Sequence, residues 1–223
     1  MKKCPRPRRV LVGLLLLGGL LIVPGCAIFN YLAASLIPDP PPKEVDAEYK
    51  GLADRTVAVI VYADDGVQFA HRNTPEGMVY QLTCMIRNGL SANIPKCRVV
   101  DPRIIVRYQD QHRFDWVSKD RTALGKHFGA DYVLYVSLTN FTTTEGGSQY
   151  LFRGDLLADA SLYQCDKPER DARVWAATDM HVSFPKEAVN GDSDAIIRDF
   201  TLALFADQLT KKFYKHKVPV EKK

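Results

Sequence analysis

The amino-acid pattern predicts an α/β (α+β mixed sheet) fold, with helices packed on a mixed, largely antiparallel sheet in the order β-α-β-α-β-β-β-α. Three observations predict it. Thr56-Val-Ala-Val-Ile-Val-Tyr62 is a near-continuous β-branched run, the pattern of a strand buried on both faces, and a helical repeat follows it. Ala130 to Thr139, Tyr150 to Phe152, Leu156 to Tyr163 and Arg173 to Phe184 then form a series of strand segments. Gly146-Gly147, Asp166 to Arg170 and Pro185 bound them, as in an antiparallel meander. Finally, Ile196, Ile197, Phe200, Leu204, Phe205, Leu209 and Phe213 recur at intervals of three and four, the clearest amphipathic helix in the chain.

In order, Thr56–Tyr62 is expected to be the central strand, and the polar stretch from Ala63 to Asn73, with Asp64, Asp65 and Gly66, the loop that leaves its carboxyl end. Thr74 caps the helix after it, Pro75 fits a first turn where no N–H is needed, and Glu76 suits the positive end of the dipole. Met78, Leu82, Met85, Ile86 and Leu90 fall on one helical face, and Gly89 or Asn93 with Pro95 ends it. Cys97 to Val100 reads as a second strand. Ile104 to Phe114 fits a polar helix or a loop. Ser118 caps a second helix running to Phe128, with Leu124 and Phe128 inward and Gly129 as its stop. Asp192-Ser193-Asp194 caps the last helix, and Tyr214 to Lys223 reads as a frayed end.

The first 26 residues carry a different message. Lys2, Lys3, Arg6, Arg8 and Arg9 precede the uncharged apolar run Val10–Val23, which stops at Pro24-Gly25-Cys26. As a helix at roughly 1.5 Å per residue the run covers about 21 Å, short of a hydrocarbon core of about 30 Å and suited to a secretory leader. The alternatives are an uncleaved membrane helix and a buried core helix. Val23-Pro24-Gly25-Cys26 resembles the lipobox of bacterial lipoproteins, from which it departs at Pro24. That resemblance implies a signal peptide over 1–25, diacylation of Cys26 with fatty chains such as palmitate, and a protein held on a membrane outside the cytoplasm. Ala27 after Cys26 favours the outer membrane by the sorting rule of proteobacteria.

Residues 26–53 form the lipidated N-terminus and a Pro-rich stalk: Pro38-Asp39-Pro40-Pro41-Pro42 stays extended and acts as a semi-rigid spacer. Residues 54–215 are left as a single α/β domain, and 216–223 as a flexible tail. The chain has 30 basic and 26 acidic side chains, but five of the cations sit in the leader. Without it the balance is 25 against 26, and the remaining basic cluster, Lys211 to Lys223, suits the end of a helix dipole. No nucleic-acid partner is expected. Of the cysteines outside the leader and the lipobox, Cys84, Cys97 and Cys165, buried free thiols are the commoner fate, a Cys84–Cys97 bridge the alternative.

No glycine-rich phosphate loop, zinc spacing or nucleophile elbow occurs, so neither a catalytic residue nor a cofactor nor a metal is expected. Asp64, Asp65 and His71 lie at a strand's carboxyl end, where α/β folds place sites, and support the alternative of a small extracytoplasmic hydrolase or ligand-binding protein. His112 with Asp115, His127 and His181 complete the polar candidates. Tyr62, Phe69, Phe114 and Trp116, in or beside loops, and Arg107 and Tyr108, in the stretch that fits a helix or a loop, are the candidate partner-binding residues, with Arg103 and Arg113 at their rim. Packing beneath the second helix is the competing role for Phe114 and Trp116.

Leu124-Gly-Lys-His-Phe-Gly129-Ala130-Asp131-Tyr-Val-Leu134, with the Thr56 strand and the Thr74-Pro-Glu opening, resembles the small α/β domain of the TolB amino-terminal, CsgG and LpoB type over residues 54 to 215. The chain lacks the long amphipathic insertions of the CsgG pore and the propeller repeats of TolB. The resemblance implies a cell-envelope lipoprotein of the periplasmic side that acts by protein binding, as in peptidoglycan synthase activation, transport or secretion assembly.

Overall fold

The computed structural model describes residues 42–219 apart from 65, 68–74, 114, 147, 149, 192 and 193. By its contacts the chain divides into two units, residues 1–43 with 217–223, and residues 44–216. The elements in chain order are β1 (Lys43–Val45), β2 (Thr56–Ala63), α1 (Pro75–Asn93), β3 (Arg98–Val99), α2 (Pro102–His112), α3 (Arg121–His127), β4 (Tyr132–Thr144), β5 (Leu151–Gln164), α4 (Glu169–Ala172), β6 (Arg173–Asn190), α5 (Asp194–Thr210), a 3-10 turn (Lys211–Phe213) and β7 (His216–Val218). The fold is mixed α/β, its sheet largely antiparallel, and the order of elements follows the sequence expectation. Five strands form one sheet in the order β3-β2-β4-β5-β6, and β1 with β7 forms a second, two-stranded one.

Within the large sheet β2 runs parallel to β3 and β4, while β4, β5 and β6 are antiparallel neighbours. β2 is an interior strand, and Val57 through Val61 are at most 1% exposed. Its period-2 alternation divides the apolar side chains between two cores. Val57, Val59 and Val61, with Leu134 and Val136 of β4, pack against Leu82, Ile86 and Leu90 of α1 and Leu202 and Phe205 of α5. Ala58 and Ile60, with Val133, pack against Ile105 of α2, Leu124 of α3 and Trp116.

Asp131 sets the register at the sheet's corner. Its N–H donates to the Thr56 carbonyl at 2.8 Å, its carboxylate accepts the Thr56 N–H at 2.7 Å, and its carbonyl accepts the Cys165 N–H at 2.9 Å. One residue thereby fixes the start of β2, the start of β4 and the end of β5. The glycines before it permit the approach. Gly129 has φ +64°, a conformation that L side chains rarely adopt, and a side chain at Gly125 would run into the Cys165 thiol.

Several elements differ in extent from their sequence reading. The ambiguous Ile104–Phe114 stretch is helical through His112. α3 starts later than expected because Asp120 caps it, through the Thr122 and Ala123 N–H groups, while the Ser118 hydroxyl donates to the Asp115 carbonyl in the preceding turn. The Tyr150–Phe152 and Leu156–Tyr163 segments are one strand: a side chain at Gly154 would collide with Thr201, so glycine there lets α5 lie on β5. β6 passes through Pro185 to Asn190, because β6 is outermost and Pro185 falls between the paired residues Phe184 and Val189, where no ladder N–H is required. The tail read as frayed contains β7. α5 is apolar on two sides: Ile197, Phe205 and Leu209 face inward, whereas Ile196, Phe200 and Leu204 are exposed. Cys84, Cys97 and Cys165 are free thiols, and burial pushes the Cys165 thiol up to about 11.

Asp131→Ala will lower the unfolding free energy by about 1–2 kcal/mol, because the Thr56 N–H loses its partner. Asp131→Asn, which keeps an acceptor, will lose less than half as much. Urea denaturation followed by tryptophan fluorescence measures both.

Candidate functional site

The surface above the second core is built by α2 and α3. Asp101 caps α2 by accepting the Arg103 N–H at 3.0 Å, Pro102 occupies the first turn, and the Arg103 guanidinium closes on the same carboxylate at 2.7 Å. Hydrogen bonding from the Arg103 side chain, then from its backbone N–H, holds the Asp101 carboxyl near 2 against an ordinary 3.8. Ile105 turns inward, and the buried Gln109 donates to the Val61 carbonyl at 2.9 Å. That bond covers β2 beyond the point where the two-residue strand β3 has ended. With these anchors set, Tyr108 and His112, four residues apart, share one helix face.

α3 supplies the other half. For Asp120, burial acts to raise the carboxyl and the hydrogen bonds from Thr122 and Ala123 act to lower it; the hydrogen bonds win. α3 then delivers His127 and Phe128 beside Tyr108. The Tyr108 ring stacks on His112 with centroids 4.0 Å apart, and lies 4.7 Å from His127 and 5.2 Å, edge-on, from Phe128. Lys119 donates to the Tyr108 hydroxyl at 2.8 Å, and its ammonium stands 5.4 Å from the ring centroid. His112 Nδ1 donates to the Tyr108 carbonyl at 2.9 Å. Nearby, the Arg121 guanidinium lies 4.1 Å above the Tyr135 ring. The result is a partly exposed aromatic and imidazole patch edged by cations.

The sequence-derived candidates distribute unevenly over this region. Tyr108 is at the centre of the patch. Arg107 is exposed on the same helix. Tyr62 is half-buried and meets Trp116 edge-to-face at 5.9 Å, while Trp116 is 6% exposed and belongs to the second core. Phe69 and Phe114 lie outside the described residues, as do Cys26, Asp65 and His71. Asp64 accepts the Val67 N–H at 3.0 Å, a turn-forming role. His181 pairs with Asp155 at 2.9 Å on the antiparallel strands β6 and β5. Lys119 and the meeting of Phe128 and His127 with Tyr108 escaped the sequence reading. The four-residue spacing of Tyr108 and His112 was the available signal, and the partners from α3 had none.

Rings packed this way offer an apolar contact with cations at the edge, suited to holding an anchor side chain of a partner beside acidic groups. Within the patch His112 and His127 pack against the Tyr108 ring, and His112 also donates to the Tyr108 carbonyl. Among the described residues no group of three or more His, Cys, Asp or Glu side chains is placed to hold a metal ion, and no helix is long and apolar enough to cross a membrane.

The class that the geometry defines is a mixed α/β domain with an aromatic patch built on two helices. No family model matches the chain, and no curated protein matches it. Among solved structures it is similar to lipoprotein GNA1162 from Neisseria meningitidis, at 15% identity over 70% of this chain and 98% of that one, with a TM-score of 0.43. The PelC dodecamer from Paraburkholderia phytofirmans is similar at 12% identity over 75% and 95%, with a TM-score of 0.42. A Xanthomonas campestris protein follows at 11% over 76% and 90%, with a TM-score of 0.40.

The depressed Asp101 carboxyl gives α2 a stability contribution that is complete above the ordinary value and is lost as pH falls through about 2. Asp101→Asn keeps an acceptor for the Arg103 N–H and removes the titration. Its urea midpoint will fall less between about pH 4 and about pH 2 than that of the parent chain.

Proposed function

We propose that this chain is a bacterial envelope lipoprotein whose α/β domain acts as a non-catalytic binding module. In this reading residues 1–25 are removed, Cys26 carries the acyl chains, residues 26–53 hold the domain away from the bilayer, and residues 54–215 dock onto an envelope protein. Two or three acyl chains, each methylene contributing about 0.8 kcal/mol, tether a protein durably, whereas one does not. An outer-membrane address follows from Ala27.

The observation that carries the reading is the patch around Tyr108. Three neighbouring rings and the Lys119 ammonium at Tyr108, with Arg107 exposed on the same helix, make a surface with the residue chemistry of protein interfaces. The likeness of the Leu124–Leu134 segment to the TolB, CsgG and LpoB type supports an envelope partner such as a peptidoglycan synthase, a transport complex or a secretion assembly.

Cys26→Ser will abolish incorporation of labelled palmitate and release the protein from the membrane fraction. A photo-crosslinker placed at Arg107 in intact cells will give one discrete protein adduct, and Tyr108→Ala will reduce that adduct at least about fivefold without altering lipidation. Adducts to lipid or glycan alone would overturn the reading.

A further inference from the structure

The segment Leu124–Leu134 does more than register the sheet. Around its second half lies a cavity of about 300 Å³, with Ala130 and the buried Cys165 among its lining residues and with Arg55, Lys126, Asp131 and Asp166 bringing two cations and two carboxylates to it. Gly125 determines how close the parts stand, since any side chain there would displace the Cys165 thiol and open the lining. All four charged residues are exposed.

The disposition of charge is unusual. Two cations and two carboxylates share one small cavity, yet among the described residues neither Arg55 nor Lys126 makes a side-chain hydrogen bond or an ion pair. No Arg55 or Lys126 nitrogen therefore stands within ion-pairing distance of an Asp131 or Asp166 oxygen. Each carboxylate also keeps an oxygen beyond its internal bond, since Asp131 uses Oδ2 for the Thr56 N–H and Asp166 uses Oδ2 for the Gln164 amide. A simple anion satisfies the cations and is repelled by the carboxylates; a simple cation meets the reverse. A small molecule with an ammonium at one end and a carboxylate at the other complements charges of both signs.

We infer that this cavity is a binding site for a short zwitterionic peptide, held by its carboxylate against Arg55 and Lys126 and by its ammonium against Asp131 and Asp166. The volume lies at the lower end of the range for ligand sites and admits a dipeptide with small side chains. The Ala130 and Cys165 part of the lining suits a methyl group. The site is independent of the Tyr108 patch and uses none of its residues.

The test is a saturation-transfer NMR titration of the full-length protein in detergent micelles with L-alanyl-L-alanine at low salt. A saturable signal is expected with a dissociation constant on the order of 1 mM, ordinary for so few heavy atoms in a half-open site. The N-acetylated and C-amidated dipeptides, each lacking one charge, will bind at least about tenfold more weakly, and so will acetate and methylammonium. Lys126→Met and Asp166→Asn will each weaken the dipeptide about tenfold, while both exposed substitutions leave the thermal midpoint within about 2 °C of the parent. No saturable signal, equal binding of the capped dipeptides or of acetate, or unchanged binding in both variants would overturn the assignment.

Discussion

Three backbone hydrogen-bonding positions converge on Asp131, and the rest of the large sheet follows from them. β2 and β4 are parallel, and parallel neighbours cannot be aligned by a tight hairpin, so their register needs an external constraint. Asp131 supplies it by holding both the N–H and the carbonyl of Thr56 while receiving the first residue after β5. From that corner Val57 falls opposite Tyr132, and the ladder runs to Ala63 opposite Leu138. A slip of one residue would exchange the faces of β2, sending Val57, Val59 and Val61 into the thinner second core and Ala58 and Ile60 toward α1 and α5.

The two cores are unequal, and that inequality leaves the Tyr108 rings half-exposed. α1 and α5 are long and cover their side of the sheet with branched and aromatic side chains. α2 and α3 are short, and the side chains on their outer turns remain half-exposed, so rings packed there are also available from outside. Tyr108 is accordingly a structural and a surface residue together. Its ring is immobilised by His112, His127 and Phe128, and a preordered ring loses little freedom when a partner closes on it.

Much of the fold was legible because it rests on local patterns. The β-branched run of β2, the period of α1 and the Gly129-Ala-Asp131 turn need no tertiary information. What escaped depended on partners distant in sequence. Of the two ends read for α1, Asn93 is the one the structure shows, and Gly89 lies inside the helix, where a side chain would strike Thr210 at the end of α5. Gly154 falls between the two segments read for β5, and there too a helix lies close, at Thr201. α2 was ambiguous because Arg107, Asp110 and Gln111 leave its inward face to Ile105, Gln109 and a few half-buried neighbours. A buried glutamine that satisfies a strand carbonyl has no periodic signature. The candidate surface was partly legible: Tyr108 and Arg107 lie on α2, within the stretch left open between helix and loop, while Trp116 takes the competing role, buried in the second core and meeting Tyr62, 54 positions away.

β6 is the outermost strand of the large sheet and has 18 residues, with one side of its backbone facing no other strand of that sheet. A straight ribbon of that length would invite open-ended stacking of chain upon chain. Here the line is interrupted twice, at Asp179, whose φ of +53° breaks the pleat, and between Phe184 and Val189, where Pro185, Lys186 and Glu187 bow out of register. A proline without a donor and a lysine at the crest of the bow make that margin a poor template for a neighbouring chain. An edge broken in this way offers a neighbouring backbone shorter runs of consecutive pairing positions than an unbroken border of the same length.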